Sequence, residues 1–316
     1  MKIAVLDSDT IGSDVSLEPL YKVGEPVVYR ASAPDEVSSH IGDADVVILN
    51  KVKLNESNLA SATNLKLICV AATGYDNVDV AYCKTRGIGV CNVVGYSTDS
   101  VAMMTFSLAL SLLTHLGEYD AYVKSGKYTG SGAANCLFPA YNELAGKTWG
   151  VVGLGNIGKK VAQVAKAFGC RVLAFKRTPD PGYECVPLET LLRESDVVSL
   201  HVPLNDSTFH LIGEKELSLM KNTAVLINVA RGNVTDEAAV AKALTEGRIG
   251  GLGVDVYSKE PFPSDHPYTA LLGRSDAVFT PHNAWGAYEA RVRVLDEMIE
   301  NIRSFVSGGT RNRVDL

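Results

Sequence analysis

The sequence lacks the features that define several classes of protein. Its six cysteines include no C-x-x-C pair in 316 residues, which excludes a dense disulfide framework and the usual spacing of zinc ligands. No apolar run approaches the roughly 18–20 residues needed to cross a bilayer. There is no block of lysine or arginine, and the net charge is −6 with a pI near 5.6. The composition therefore argues against nucleic-acid binding.

The beginning of the chain also has little in common with a targeting signal. Residues 1–6 carry one positive charge and start a strand pattern at once, so we expect no signal peptide. The cysteines lie mostly in or beside apolar runs, where buried, reduced thiols are expected. The hydrophobic fraction of 46% and the charged fraction of 21% are typical of a globular protein. The sequence therefore predicts a cytoplasmic protein that is long enough for two domains.

A glycine-rich turn lies halfway along the chain. A short apolar run ends at Val152 and leads into G-x-G-x-x-G, formed by Gly153, Gly155 and Gly158. Gly153 would permit a tight turn, Gly155 the approach of backbone to a pyrophosphate, and Gly158 the packing of helix on strand. Such a motif alone is also compatible with an ordinary turn. Because a helical pattern and another strand pattern follow it directly, the context favours dinucleotide binding.

Strand and helix patterns alternate on both sides of this turn and predict two α/β units with parallel sheets. No glycine-rich loop follows the first predicted strand, so the N-terminal unit is not expected to hold a nucleotide. Residues 100–116 form a long apolar stretch that predicts a helix, and residues 126–132 predict a Gly/Ser loop. Later strands are predicted at 171–175, 197–202, 224–229, 251–256 and 277–279, and helices at 236–244 and 288–306.

Three polar side chains follow consecutive predicted strands in the second half of the chain: Arg231, Glu260 and His282. In an open parallel sheet, ligands bind outside the carboxyl ends of the strands. An arginine binds a carboxylate or a carbonyl oxygen, and an imidazole exchanges a proton with an alkoxide. A glutamate beside the imidazole would hold the orientation of the ring. The set suits hydride transfer to a 2-oxo acid.

Each of these residues also has a simpler interpretation. An Arg-Gly pair after a strand is often a turn with a solvated charge, and Glu260-Pro261 is a common loop dipeptide. His282, which follows a proline, could cap the next helix. Their order behind a credible nucleotide loop favours the catalytic interpretation. The remaining histidines lack this context and are expected at the surface or in the core, with His201 near the cofactor.

These motifs together resemble the D-isomer-specific 2-hydroxyacid dehydrogenases, and most closely their glycerate dehydrogenase (hydroxypyruvate reductase) branch. The resemblance covers nearly the whole chain. It implies an α/β fold of two doubly wound parallel-sheet domains, with a Rossmann cofactor domain (100–287) inserted in a flavodoxin-like substrate domain (1–99 and 288–316). The matching segments are 71–79, 92–98, 143–148, 153–158, 201–204, 228–232, 255–261 and 280–285.

The resemblance also implies roles for individual residues. Arg231 would bind the substrate and polarise its carbonyl, His282 would be the acid/base, and Glu260 would be its partner. Backbone amides around Thr73 and Gly74 would hold the substrate carboxylate across the interdomain cleft. No metal is expected.

The remaining implied contacts concern the substrate pocket and the cofactor. Trp285 would line the pocket or merely pack, and Asp255 would meet the carboxamide of the nicotinamide. The implied cofactor-binding residues are Gly153, Gly155, Asn156, Ile157, Gly158, Lys176, Arg177, Thr178, Val202, Pro203, Val229, Asp255 and His282.

Two positions depart from the family's pattern. Met103 and Met104 stand where family members usually carry Glu or Gln. Lys176, Arg177 and Thr178 stand where an acidic residue would bind the ribose 2′-OH of NAD. A carboxylate would repel a 2′-phosphate, whereas this trio could bind one, so NADP(H) is favoured over NAD(H).

The sequence thus predicts an NAD(P)H-dependent reductase that turns small 2-oxo acids, with hydroxypyruvate or glyoxylate first, into D-2-hydroxy acids. The resemblance implies a homodimer formed through the cofactor domains, with residues 116–139 reaching the partner. Neither a nucleic acid nor a membrane is expected as a partner. The alternative is an NAD(P)-sensing binding protein that resembles the family's corepressor relatives and has no significant turnover. The acidic pI and the lack of an added partner-binding tail count against that alternative.

Overall fold

A computed structural model describes residues 1–316 of the chain, which form twelve β-strands and eleven α-helices. The strands are β1 (Lys2–Val5), β2 (Glu25–Val28), β3 (Val46–Leu49), β4 (Leu67–Val70), β5 (Gly89–Cys91), β6 (Thr148–Val152), β7 (Arg171–Phe175), β8 (Glu184–Cys185), β9 (Val197–Leu200), β10 (Val225–Asn228), β11 (Gly251–Val254) and β12 (Ala277–Phe279). The helices are α1 (Val37–Ile41), α2 (Glu56–Leu59), α3 (Val80–Thr85), α4 (Thr98–Leu113), α5 (Leu116–Lys124), α6 (Lys127–Ser131), α7 (Asn156–Ala167), α8 (Leu188–Glu194), α9 (Glu214–Leu217), α10 (Glu237–Thr245) and α11 (Tyr288–Val306).

The chain divides into two compact units. The first consists of Met1–Ser97 and Gly286–Leu316, and the second of Thr98–Trp285. The second unit is therefore inserted in the sequence of the first.

The first unit is built on a five-stranded parallel sheet with the order β2-β1-β3-β4-β5. This is the doubly wound order of flavodoxin-like folds. Every residue of β3 and β4 is buried, because helices cover both faces of the sheet. That double burial explains why both strands are continuous apolar runs in the sequence.

The second unit contains a seven-stranded parallel sheet with the order β12-β11-β10-β9-β6-β7-β8. Strands β6, β7 and β8 follow one another towards one edge of the sheet. The next strand, β9, pairs with the other side of β6, and β10, β11 and β12 follow towards the opposite edge. This is the Rossmann arrangement with one additional strand, and it leaves a crevice outside the carboxyl ends where the direction of winding reverses. The predicted fold class is confirmed for both units.

Helix α4 supplies much of the core of the second unit. It packs against α7, β10 and β11, and its buried Phe106 lies 4.5 Å from the ring of the fully buried Trp149. The helix ends at Leu113, earlier than the predicted residue 116, since His115 adopts a left-handed conformation with φ of 52°.

None of the helices, taken alone, has the length and apolar composition that a membrane span requires. Helices α4 and α5 meet these two criteria only when taken together, and the chain bends by 63° at the break between them.

One local prediction is wrong. The sequence predicts a loop at 126–132, but this segment contains the short helix α6 between Gly126 and Gly132, both of which have positive φ. The glycines bound this helix on either side, as expected for residues that adopt the left-handed conformation without strain. All six cysteines are unpaired, and four of them are buried.

Candidate active site

The predicted site residues of the second unit lie at one edge of its sheet. Because all seven strands are parallel, every residue that follows a strand end lies at the carboxyl edge. In sheet order, the sequence places there His282 after β12, Asp255 and Glu260 after β11, Val229 and Arg231 after β10, Val202 and Pro203 after β9, the glycine turn after β6, and Lys176–Thr178 after β7.

The glycine turn after β6 has the geometry of a phosphate cradle. Gly153 has φ of 98°, and a Cβ there would lie 2.7 Å from the backbone of His201. A Cβ on Gly158 would lie 2.0 Å from the Gly153 oxygen, so helix and strand are packed as closely as backbone permits. At Gly155, in contrast, a Cβ would meet nothing within 4 Å.

Helix α7 begins directly after this turn, at Asn156 followed by Ile157, and no side chain caps its N-terminus. Its first N–H groups are thus available to an anion, with the helix dipole in the favourable sense. The open space at Gly155 lies at the same point. The residues present therefore fit the pyrophosphate of a dinucleotide.

The next loop of the site follows β7. In Rossmann folds, the loop at this position distinguishes the ribose 2′-OH of NAD from the 2′-phosphate of NADP. Lys176, Arg177 and Thr178 are all exposed. The nearest carboxylate along the sequence is Asp180, whose Oδ2 lies 2.8 Å from the Lys159 ammonium. That ammonium lowers the pKa of the Asp180 carboxyl. The one acid in this loop is thus already paired with a cation of α7.

Glu260 and His282 are brought together at the ends of neighbouring strands. Glu260 Oε2 lies 2.5 Å from His282 Nδ1, and Glu260 Oε1 accepts the Tyr257 N–H at 3.0 Å. Since an ionised carboxylate only accepts hydrogen bonds, Nδ1 carries the donated proton and Nε2 remains for another ligand. The side chains are 20% and 32% exposed for His282 and Glu260, so the pair is partly shielded and still accessible to a small molecule.

His282 does not cap a helix, because α11 begins at Tyr288. It adopts a left-handed conformation with φ of 52°, which is uncommon for a residue other than glycine and occurs often at functional sites. The Asp255 carboxylate holds this turn: it accepts the Thr280 hydroxyl at 2.6 Å and the N–H groups of Asn283 and Ala284 at 2.9 and 3.0 Å.

Asp255 is only 1% exposed. Burial raises the pKa of its carboxyl, while the hydroxyl and the two amides act in the opposite direction. Its oxygens are largely used to fix the backbone around His282, and a contact of Asp255 with the nicotinamide stays a prediction.

Arg231 follows β10 in an extended conformation and is half-buried. The side chain of Asn228 orders this turn, because its amide donates to the Arg231 oxygen and its carbonyl accepts the Ala230 N–H, both at 3.0 Å. The turn that carries Arg231 is therefore ordered by side-chain hydrogen bonds, and a role of Arg231 in catalysis stays a prediction. Trp285 donates from Nε1 to the His282 oxygen at 3.1 Å and packs on the core, and its place in a substrate pocket stays a prediction.

Thr73 and Gly74 belong to the other unit, in the loop after β4. The Thr73 hydroxyl donates to the Val93 oxygen and Asn92 Nδ2 donates to the Thr73 oxygen, both at 2.8 Å. These bonds fix the loop while the backbone N–H groups of Thr73 and Gly74 take part in none of its hydrogen bonds.

The structure also shows buried polar residues that the sequence did not single out. Glu237 accepts hydrogen bonds from Ser258, which belongs to the loop that carries Glu260, and from His266. They are separated by 21 and 29 residues from Glu237, a distance over which strand and helix periodicity carries no signal.

Comparison with known proteins agrees with this geometry. Residues 106–284 match the model of the D-isomer specific 2-hydroxyacid dehydrogenase, NAD binding domain. The chain belongs to the D-isomer specific 2-hydroxyacid dehydrogenase family. It is accordingly an NAD(P)-dependent oxidoreductase of 2-oxo and D-2-hydroxy acids, which confirms the function class predicted from the sequence.

Named members of the family are similar over most of their length. A glycerate dehydrogenase of Methylorubrum extorquens is 37% identical over 317 residues, covering 99% of this chain and 99% of that protein. A glyoxylate reductase of Thermococcus litoralis is 41% identical over 271 residues, covering 83% and 80%. The crystal structure of an Aquifex aeolicus D-lactate dehydrogenase, complexed with NAD and lactic acid, superposes with a TM-score of 0.87 at 30% identity, covering 100% and 99%.

Proposed function

We propose that this dehydrogenase reduces hydroxypyruvate or glyoxylate, with Arg231, Glu260 and His282 as its catalytic residues. The observation that carries the proposal is the 2.5 Å contact of Glu260 with His282, at the sheet edge that also bears Arg231 and the glycine turn. The names of the similar glycerate dehydrogenase and glyoxylate reductase support this substrate class.

Each residue would have one task in the reaction. The reduced nicotinamide, when bound, supplies a hydride to C2 of the 2-oxo acid. Arg231 binds the substrate through its guanidinium and stabilises charge that develops on the carbonyl oxygen. His282 gives the proton on Nε2 to that oxygen, and Glu260 holds the ring through Nδ1. In the reverse direction, Nε2 takes the proton from the 2-hydroxyl group.

We propose that the second unit is the cofactor domain and the first is the substrate domain. The glycine turn with its uncapped helix supports the first assignment. For the second, the loop around Thr73 and Gly74 is fixed by side-chain hydrogen bonds and leaves two backbone donors for an anion. A carboxylate is the anion that every 2-oxo acid carries.

Substrate class is tested by a kinetic panel of hydroxypyruvate, glyoxylate, pyruvate and bulkier 2-oxo acids, each with NADH and with NADPH. We expect kcat/KM to be highest for hydroxypyruvate or glyoxylate. A higher value for pyruvate or a bulky acid would overturn the substrate assignment. Binding of the cofactor with no oxidation by any acid would favour a sensor of NAD(P) without turnover.

For the cofactor, we propose that NADP(H) is preferred, with Lys176 and Arg177 as the phosphate ligands. Both are exposed cations that follow β7, and the one acid of the loop between β7 and β8, Asp180, is paired with Lys159. In an Arg177→Asp variant, the ratio of kcat/KM for NADPH to that for NADH should fall at least about tenfold, since a charge contact becomes a repulsion. An unchanged ratio would remove Arg177 from the account. Arg193, an arginine on α8, provides a matched Arg193→Asp control.

We also propose a homodimer formed through residues 116–139 of the second unit. Leu137 and Phe138 are 79% and 83% exposed, which is unusual for large apolar side chains on a monomer. Sedimentation equilibrium should give twice the chain mass of 33.8 kDa. A mass equal to one chain would contradict this.

We place the protein in the cytoplasm, where six unpaired thiols stay reduced.

A further inference from the structure

A buried carboxylate that the reaction does not use lies close to the proposed catalytic residues. Glu237, in the first turn of α10, has a side chain that is only 7% exposed, and no lysine or arginine pairs with it. Its Oε1 accepts the Ser258 N–H at 2.9 Å, and its Oε2 accepts the Ser258 hydroxyl and His266 Nε2, the latter at 2.8 Å. Burial of a carboxylate is costly unless hydrogen bonds compensate it, and here three donors converge on it.

His266 is itself buried, with a side chain 4% exposed. Its Nδ1 accepts the Tyr268 N–H at 3.2 Å, so the ring donates to Glu237 through Nε2. The imidazole also packs on two aromatic rings of the loop above it: Phe262 at 4.9 Å and Tyr257 at 6.1 Å between ring centres. Both ends of the segment 257–262 are therefore packed on one histidine.

That segment is the loop that presents Glu260 to His282. Tyr257 donates its N–H to Glu260 Oε1 at 3.0 Å, and the next residue along the chain, Ser258, is the one that Glu237 binds. The Tyr257 hydroxyl donates to the Thr280 oxygen at 2.9 Å, two residues before His282. Displacement of Ser258 would thus move the backbone donor that orients the Glu260 carboxylate.

The same peptide also contacts the turn that bears Arg231. A Cβ on Gly232 would lie 2.0 Å from the Tyr257 carbonyl carbon and 2.1 Å from the Ser258 nitrogen. The peptide between Tyr257 and Ser258 is therefore enclosed by Gly232 and hydrogen-bonded by Glu237. The peptide between Tyr257 and Ser258 thus contacts the turn that bears Arg231 and belongs to the loop that holds Glu260 against His282.

We propose that Glu237 is a positioning residue of this dehydrogenase, which with Ser258 and His266 fixes the loop that holds Glu260 against His282. The proposal rests on the function proposed above. A carboxylate is required there because all three groups that contact it, two of Ser258 and one of His266, donate hydrogen bonds. A glutamine of the same shape would direct its own N–H groups at one of those donors, and that contact would be lost.

The direct test is a Glu237→Gln variant, assayed with hydroxypyruvate and with NADPH deuterated at the transferred position. We expect kcat to fall about tenfold or more, because small displacements of catalytic groups slow the chemical step. The KM for the 2-oxo acid and the Kd for the cofactor should stay within about twofold. The deuterium isotope effect on kcat should rise, as the slowed step becomes rate-limiting. Ser258→Ala should act in the same direction and more weakly.

A double-mutant cycle separates positioning from a general loss of structure. Glu237→Gln should cost much less in a Glu260→Gln background, since the group that it positions is then already impaired. Asp196→Asn is the matched control: Asp196 accepts the Thr148 N–H at 2.8 Å and a Lys221 proton at 2.9 Å, but at the opposite edge of the sheet. That variant should lower Tm and leave the isotope effect unchanged.

The proposal is overturned if Glu237→Gln retains the wild-type kcat and isotope effect, or if its cost adds fully to that of Glu260→Gln. Should the Glu237→Gln protein not fold, Ser258→Ala provides the same readouts, because it removes a single hydroxyl. Failure of the proposed function would look different. In that case, Glu260→Gln and His282→Ala would themselves turn over like wild type.

Discussion

At the end of β9, the imidazole of His201 has a partner on only one of its two nitrogens. Ser199 Oγ accepts the Trp149 Nε1 proton and lies next to His201 Nε2, both at 2.9 Å. Since the serine proton needs an acceptor, Nε2 accepts it and the ring proton is on Nδ1, which is buried and unpartnered. Burial lowers the pKa of His201 to about 3. The imidazole of His201 is therefore neutral at neutral pH in the folded protein.

This depressed pKa predicts a loss of stability in acid. In the unfolded chain His201 binds a proton below about pH 6.5, whereas in the folded protein it does so only near pH 3. Between these pH values the unfolded state binds more protons than the folded state. The free energy of unfolding therefore falls by up to about 1.4 kcal/mol for each unit by which the pH decreases. Urea unfolding at pH 7.0, 6.0 and 5.0 should show a shallower pH slope for His201→Gln than for wild type.

The exposed His210 provides the control for that experiment. It has φ of 49°, a conformation that asparagine adopts readily, so His210→Asn should fold and keep the wild-type pH slope. If His201→Gln also kept the wild-type slope, the buried imidazole would not be the cause of the acid sensitivity.

At the scale of elements, the turn between β6 and α7 combines two glycines that are needed for different reasons. Gly158 is required for packing, because a Cβ there would lie 2.0 Å from the Gly153 oxygen. Gly155 has open space around the position of its Cβ, and its φ of −82° suits any residue. A methyl group at Gly155 would meet only the ligand that approaches the turn.

Two alanine variants distinguish these roles. Gly158→Ala should lower the free energy of unfolding by about 1–3 kcal/mol, because the helix must move away from the strand. Gly155→Ala should keep the wild-type Tm and weaken cofactor binding at least about tenfold, since the added methyl blocks the approach of a pyrophosphate. Thermal unfolding and fluorescence titration with NADPH measure the two effects. Wild-type affinity of Gly155→Ala would show that the cofactor phosphates bind elsewhere.

Elements were predictable wherever periodicity and glycine chemistry agreed. The strand Arg171–Phe175, the strand Ala277–Phe279 and the helix Tyr288–Val306 have the predicted bounds. The helix Lys127–Ser131 was missed, since three glycines and one serine in the seven residues 126–132 suggest a loop. Gly126 and Gly132 lie at the two caps of this helix, where interior helix propensity does not apply.

At the scale of the whole molecule, the sequence indicated two parallel α/β sheets through continuous apolar runs, because a doubly covered strand is apolar on both faces. The doubly wound arrangement of each sheet followed from the family resemblance and not from periodicity. Likewise, the three residues at strand ends were identifiable because parallel strands bring their carboxyl ends to one edge. The contacts of Glu237 were not, since they join residues that are distant in the sequence.

The central claim for the whole molecule is that the pair of His282 and Glu260 performs the proton transfer at a nicotinamide site. The most direct measurement is turnover by His282→Ala on the best 2-oxo acid, together with its cofactor affinity. His282→Asn is the second variant to be assayed, because asparagine tolerates the φ of 52° at this position. We predict wild-type cofactor affinity and a loss of about 10²–10⁴-fold in kcat for both variants. Near-normal turnover by either folded variant would contradict the account.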